Sequence, residues 1–361
     1  MTPELIGYPM PDTPLDPKVL SKNVQKLSDK LNAKVIGQER AIKQIIKSYT
    51  PMTVNMHREG RPLGVFLFMG PTGVGKTETV RAFASNLLGN RNSITRIDCA
   101  EFDESHHVSK LIGAPPGYVG YGEKPLLSQE KIDQYQTKEN KINVVLFDEI
   151  EKGHNRLFDA IMTILGDGRL TLGNGKLVDF SQSFVFLTSN LGSEAVRKMA
   201  EDRGMGFKPS AVERLDMDEK VYKMSKEAAR KQFRPEFINR LDSIVVFQSL
   251  SRESLKKILK NELDELQWRI WKSPWRDFTF NSGEKLPAGR SIVFALTEDA
   301  KEFLLDEGTS EIYGARELNR AIDRFVGFPM ASLIASEQIK HGDKVKIGRV
   351  KGEKDLNFVK I

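Results

Sequence analysis

A chain of 361 residues with 39% hydrophobic and 29% charged residues has the balance of a globular protein and the length of about two domains. Its single cysteine, Cys99, excludes an intramolecular disulfide, the opening "MTPELIGYPMPDTPLDP" has neither the basic nor the apolar region of a secretory signal, and no run approaches the ~18 apolar residues of a membrane span. A cytoplasmic protein with no membrane partner is therefore expected. The net charge of +6 comes from 55 basic and 49 acidic residues that are interleaved, which fits a solvated surface and leaves a nucleic-acid groove as the alternative. No zinc-type Cys/His spacing exists, and the adjacent His106 and His107 do not share a helix face, so no metal site is expected from them.

Residues 1–17 contain five prolines and predict an extended arm. In "KVLSKNVQKLSDKLNAKVIGQERAIKQIIKSYTPM", apolar residues recur at helical spacing, which predicts two helices around a "VIGQ" turn, the second ending near Pro51. Apolar runs of strand length follow: "GVFLFMG" (64–70), "ITRIDCA" (94–100), "INVVLFDE" (142–149), "SFVFLTSN" (183–190) and "SIVVFQ" (243–248). Helical stretches such as "KTETVRAFASNLLG" separate them. Strands rich in Val, Leu and Phe on both faces, alternating with helices, predict an α/β fold with a parallel sheet covered on both sides. Within it, "GAPPGYVGYG" puts Tyr118 and Val119 among glycines. These residues predict a flexible loop, either with an exposed apolar tip or with the tyrosine folded back onto its domain. The Gly-Asn-Gly of "DGRLTLGNGKLVDF" predicts a hairpin turn. After about residue 249 the pattern becomes amphipathic and helical, with a bend expected at Gly327 and Pro329 and a closing strand at "GDKVKIGRV". The expected organisation is an arm and linker helix (1–33), a large α/β domain (34–249) and a smaller, mostly helical domain (250–361).

Chemistry concentrates at strand ends. "GPTGVGKT" follows an apolar strand and opens a helix, as a phosphate-binding loop requires. Gly70, Gly73 and Gly75, with Pro71, Thr72 and Val74, let backbone N–H groups wrap phosphates; Lys76 supplies a point charge and Thr77 an oxygen for Mg²⁺. In "VVLFDEIEK" the strand ends at Asp148, placed to hold the Mg²⁺ shell, and Glu149, placed to polarise an attacking water. Asn190, at the end of "FLTSN", reaches the same sheet edge, to position water or sense the terminal phosphate, or else to cap the following helix. Arg240 in "RPEFINRLD" and Arg316 in "YGARELNR" suit transition-state charge equally as well as surface ion pairs.

The order of phosphate loop, "GAPPGYVGY", "DEIEK", "DGRLT", "TSNLGS", "FRPEFINR" and "YGARELNRAI" resembles the second ATPase module of Clp-type AAA+ unfoldases and disaggregases over about Lys34 to Val350. The resemblance implies an ATP- and Mg²⁺-dependent ATPase in a hexameric ring that unfolds protein substrates. It further implies that "VIGQ" (35–38), with Val35 and Ile36, contacts adenine, that Arg240 is an arginine finger in the neighbour's site, that Arg316 is the small-domain sensor, that Tyr118 and Val119 grip substrate in the pore, and that "DGRLTLGNGKLVDF" is a second pore loop. "RGMGFKPS" (203–210) lies where ClpC-like chains carry a peptidase-docking loop, so a peptidase or adaptor partner is the alternative reading. A nucleic-acid motor is disfavoured, because "PPGYVGYG" carries no cation before Lys124. Three departures from the family pattern stand out: only about thirty residues precede "VIGQ", the segment "GEKPLLSQEKIDQYQTKENKIN" after the pore loop is longer than the family's, and 268–291, with three tryptophans, looks inserted.

Overall fold

The computed structural model describes residues 16–104, 106–114, 117, 122, 124–192, 211–272, 292–308, 314–340, 342–350, 352, 353 and 355–361, with backbone alone at 211–218 and 272. Helices α1 (Lys22–Lys34) and α2 (Glu39–Thr53) flank the "VIGQ" turn. Pro51 lies inside the last turn of α2 rather than ending it. The strands β1 (Gly64–Met69), β2 (Thr95–Asp98), β3 (Asn143–Asp148), β6 (Ser183–Ser189) and β7 (Ser243–Val246) form one sheet in the order β2-β3-β6-β1-β7, with every pairing parallel.

The two-sided burial read from the sequence is present. All residues of β1, β3 and β6 are buried. Alternation splits them between two cores: Val65, Leu67 and Met69 face one, Phe66 and Phe68 the other. The second core holds α1, α2 and α3 (Lys76–Leu88) against a cluster of rings, with Phe66 stacked on Phe186 at 5.2 Å and Phe68 tilted against Phe247 at 4.9 Å. Each such ring is worth about 1.5–3 kcal/mol by burial alone. The first core is covered by the short α4 (Val108–Ile112) and α5 (Gln129–Ile132), by α6 (Asn155–Asp167), and by α7 (Ala211–Gln232) with α8 (Pro235–Asn239). Directly after α6, β4 (Arg169–Thr171) and β5 (Leu177–Asp179) form the expected hairpin, closed by Leu172 N–H to Lys176 O at 2.8 Å and by Gly175 at φ 79°.

A third core joins α9 (Arg252–Lys272), α10 (Glu298–Gly308), α11 (Ala315–Ile322) and α12 (Phe328–Ala335). Between α11 and α12 the chain passes through one π-helical stretch, Asp323–Gly327. The wider turn accommodates Pro329, which has no N–H to give the preceding turn. Beside these helices is more strand than the sequence suggested. "GDKVKIGRV" becomes β9 (Lys344–Arg349), paired in parallel with β8 (Val293–Leu296) and antiparallel with β10 (Leu356–Lys360). β8 alternates only between exposed and half-buried positions, and all four of its residues, VFAL, are apolar, so its sequence carries no alternation to read.

Candidate nucleotide site

The carboxyl ends of β1, β3 and β6 open onto one cavity of about 1120 Å³, the position where ligands bind open parallel sheets. From β1 the chain turns through Gly70 (φ 140°), Gly73 (φ 75°) and Gly75 (φ 102°) into α3. A Cβ on Gly70 would meet Phe247 O at 2.8 Å, whereas Gly75 faces open space. Gly75 is the N-cap and has no side chain to satisfy the first-turn N–H groups of α3. Those donors and the helix dipole form a cradle suited to an anion. Lys76 is buried at 8% exposure, and its ammonium donates to Gly70 O, to Pro71 O at 2.9 Å and to Asn190 Oδ1 at 2.8 Å. Burial lowers its pKa to about 8, against the opposing pull of Glu151, Asp148 and Glu149.

Asp148 is held from both sides. Oδ2 accepts from Arg96 Nη2 at 2.7 Å and Nε at 3.1 Å, and Oδ1 accepts from the Thr188 hydroxyl. Thr188 Oγ1 in turn accepts from Glu149 N–H at 3.0 Å. Glu149 leaves the strand in the left-handed region at φ 55°, an uncommon conformation for a residue with a side chain. Its carboxylate bonds Lys152 Nζ at 2.6 Å and accepts from Asn190 Nδ2 at 3.0 Å. The Lys152 contact, then that of Asn190, holds this carboxyl below the usual range despite partial burial. Asn190 is itself fixed by its N–H to Glu151 Oε1 at 2.9 Å.

Val35, Ile36, Thr72, Gly73, Val74, Thr77 and Arg316 line the same cavity. α11 is brought there by Ala315 N–H donating to Gly73 O at 3.0 Å. Thr77 and Asp148 offer the oxygen donors that a hard cation takes, and the glycine cradle with Lys76 suits phosphate, so the residues fit Mg²⁺ and a nucleotide. Arg240 is elsewhere. It follows α8 and its guanidinium donates to Met162 O, beside Gly166 on α6. Tyr118 and Val119, the 203–210 segment and residues 273–291 lie outside the described residues. Trp268 lines the cavity, and Trp271 is exposed.

Sequence reasoning misses four residues of the site. Arg96, Thr188 and Lys152 hold the acidic pair. Gln38 is buried and ties the "VIGQ" turn to the phosphate loop through Val74 O at 3.1 Å and to Gln248 O at 2.9 Å. Thr188 had a signal, two residues before Asn190 in "TSN", whereas the partners of Gln38 lie 36 and 210 residues away in sequence. Among the described residues no group of His, Cys, Asp and Glu is arranged to hold a metal by itself, and Cys99 is buried with its thiol pushed far up by that burial. No described helix is long and apolar enough to cross a membrane.

The AAA domain (Cdc48 subfamily) model matches residues 61–244, and the model of the C-terminal D2-small domain of ClpB protein matches residues 277–347. The chain belongs to the AAA domain family, with the resemblance to Clp-type members read from its motifs. It is 36% identical to Chaperone protein ClpB of Rhizobium meliloti (strain 1021), over 92% of this chain and 34% of the relative. To the ATP-dependent Clp protease ATP-binding subunit ClpA homolog of Guillardia theta it is 36% identical, over 92% of this chain and 39% of the relative. Among solved structures it resembles the S. cerevisiae Hsp104:casein complex in its extended conformation, with a TM-score of 0.75 and 32% identity over 94% of this chain and 53% of that one. A closed-state reconstruction of Hsp104 with ATPγS and FITC casein matches with a TM-score of 0.73. The chain thus spans between a third and two fifths of these curated relatives and about half of the solved chains.

Proposed function

We propose that this chain hydrolyses ATP with Mg²⁺ and uses the cycle to unfold or remodel protein substrates, as one subunit of a ring that threads polypeptide through its pore. The observation that carries the reading is the linkage of Lys76, Asn190 and Glu149 at the mouth of the phosphate cradle, with Asp148 fixed beside them. The relatives are named as chaperones and Clp ATP-binding subunits, and the solved neighbours hold casein. The third core, built from residues between Leu255 and Leu356, supports a small domain (250–361) apart from a large domain (34–249) whose sheet carries the other two cores, while the helix of the arm and linker (1–33) packs into the second of these through Val24, Leu27 and Leu31.

In this reading the first-turn N–H groups of α3 and the Lys76 ammonium hold the β and γ phosphates, while Val35 and Ile36 border the base. Thr77 and Asp148 would hold Mg²⁺, whose charge neutralises the phosphate oxygens. Lys76 moves from the Gly70 and Pro71 carbonyls onto phosphate when nucleotide enters. Asn190 then keeps Glu149 aimed, and Glu149 orients water and takes its proton. Arg316 sits on the small-domain wall, so closure of that wall is sensed at the phosphates. Arg240, absent from its own cavity, serves the next subunit, which makes hydrolysis depend on the interface. Tyr118 and Val119 grip the substrate by non-directional apolar contact. The test is a tagged fluorescent protein mixed with the chain and ATP: loss of fluorescence with wild type and its persistence with Glu149→Gln support the reading, and unchanged fluorescence with wild-type rings that hydrolyse ATP would overturn it.

A further inference from the structure

Helices α1 and α2 carry most of the chain's charge imbalance. Residues 22–53 hold seven of its 55 basic residues and two of its 49 acidic ones, and so five of its six net positive charges. On α1, Lys22, Lys26, Lys30 and Lys34 follow at four-residue steps and are all exposed, while Val24, Leu27 and Leu31 of the same helix are buried. On α2, Arg40, Lys43 and Lys47 are exposed at steps of three and four, and Ala41, Ile42, Ile45 and Ile46 are buried. The two helices pack on each other and on the same core, so both strips belong to one side of the sheet.

Little on the protein answers this charge. Among the described residues no ion pair takes up Lys22, Lys26, Lys30, Arg40, Lys43 or Lys47. The acids on the helices are Asp29, whose Oδ1 accepts from Gln25 Nε2 at 2.7 Å, and Glu39, exposed at the start of α2. Beyond the helix ends the signs alternate, Asp16 with Lys18 and Arg58 with Glu59. Lys34 differs from the other six: it donates to Ser85 Oγ at 3.4 Å and lines the nucleotide cavity together with Glu262, Asp264 and Glu265, so it is left out of the face. Like charges at four-residue spacing destabilise a helix, so the α1 strip costs stability unless a polyanion meets it.

What each kind of polyanion requires decides between them. A protein interface has an apolar or aromatic centre and few lysines, and this face has no such centre. A membrane-surface helix inserts its own apolar side, but here both apolar sides are spent on the core, and the exposed Val19, Val54 and Met56 stand outside the helices. A single nucleic-acid strand needs exposed rings to stack on, and Tyr49, the only ring on either helix, packs against Phe83 and Phe184. A duplex backbone asks only for cations. We propose that the outer face of α1 and α2 binds the phosphate backbone of a nucleic-acid duplex without reading its sequence. This site is separate from the nucleotide cavity and does not rest on the ring reading above.

The experiment titrates the full chain into a fluorescently labelled DNA duplex over a series of salt concentrations. With six cations on phosphates, log Kd is expected to rise against log salt with a slope of about 5, since each contact contributes about 0.9. Lys22→Glu with Lys26→Glu and Lys30→Glu should weaken binding by about tenfold or more and lower that slope by about three. The same change of net charge at the exposed Lys138, Lys141 and Lys346, each to Glu, should leave both values near wild type, and duplexes of unrelated sequence should bind alike. Circular dichroism and ATP turnover report whether the α1 variant is folded; if it is not, Lys22→Gln with Lys26→Gln and Lys30→Gln removes the charge with good helix formers and is read instead. Wild type that ignores the duplex at low salt, a folded α1 variant that binds like wild type, or a control variant that weakens equally would overturn the proposal. Stronger retention by single-stranded DNA or by phosphatidylserine vesicles would overturn it as well.

Discussion

The Lys76 ammonium donates to Asn190 Oδ1 at 2.8 Å, and the same amide donates through Nδ2 to Glu149 Oε1 at 3.0 Å. One side chain therefore connects the phosphate-binding cation to the proposed base, across the ends of β1, β6 and β3. Asn190→Ala is expected to cut turnover roughly 10²-fold by releasing Glu149, with nucleotide affinity kept. Glu149→Gln should cut it by about 10²–10⁴-fold, again at unchanged affinity, whereas Lys76→Ala should weaken binding itself. Equilibrium titration with a fluorescent nucleotide, paired with steady-state hydrolysis, separates these outcomes. Normal turnover by the glutamine variant is the result that excludes Glu149.

Glu262, on the α9 wall of the cavity, has its carboxyl pushed up first by burial and then by Glu265 and Glu78, against the pull of Arg91. A carboxyl whose folded pKa exceeds its unfolded value of 4.5 gives full stability below that value and loses it as pH rises through the folded pKa. At neutral pH, Glu262→Gln should therefore melt at a higher temperature than wild type. The difference should shrink to nothing at pH 4, where both carry an uncharged side chain. Melting curves at pH 4 and pH 7 provide the check, and a variant destabilised at pH 7 contradicts it.

Gly166 offers a way to disturb Arg240 without deleting it. A Cβ there would lie 2.5 Å from Arg240 Nη1 and 2.7 Å from Cζ, so Gly166→Ala must displace the guanidinium. Because a misplacement of about 1 Å costs about 10²-fold in a positioned group, turnover should fall by that order, against 10³-fold or more for Arg240→Ala. Mixing Arg240→Ala with Glu149→Gln should restore some activity, since certain interfaces then combine an intact glutamate with a foreign arginine. ATPase assays on mixtures of known ratio measure this, and strictly additive zero activity would place Arg240 outside the neighbour's site.

Tyr118→Ala should keep ATP hydrolysis and lose unfolding of a fluorescent substrate, while Tyr118→Phe keeps both. If the tyrosine instead served its own domain, the alanine variant would melt lower and lose substrate work only in proportion to its ATPase rate. Measured together on one preparation, melting temperature, hydrolysis and unfolding distinguish the two.

Most of the sheet and half of the site are readable in the chain because their signals are local. β1, β3 and β6 announce themselves by runs apolar on both faces, and the phosphate loop, Asp148, Glu149 and Asn190 each sit at the end of such a run, where a parallel sheet must collect them on one edge. Local pattern fails where burial is partial or partners are distant. The sequences of β8, VFAL, and β10, LNFVK, show little polar alternation, and they become strands through pairing with β9. The sequence could name Asp148 but not the grip of Arg96, 52 residues away, nor the role of Gln38 in joining the phosphate loop to Gln248 just after β7. Arg240 and Arg316 look alike as arginines in helical motifs. Only the tertiary fold separates them, because strand order carries the start of β7 to the far corner of the sheet while Ala315 N–H, bound to Gly73 O, brings Arg316 to the nucleotide wall.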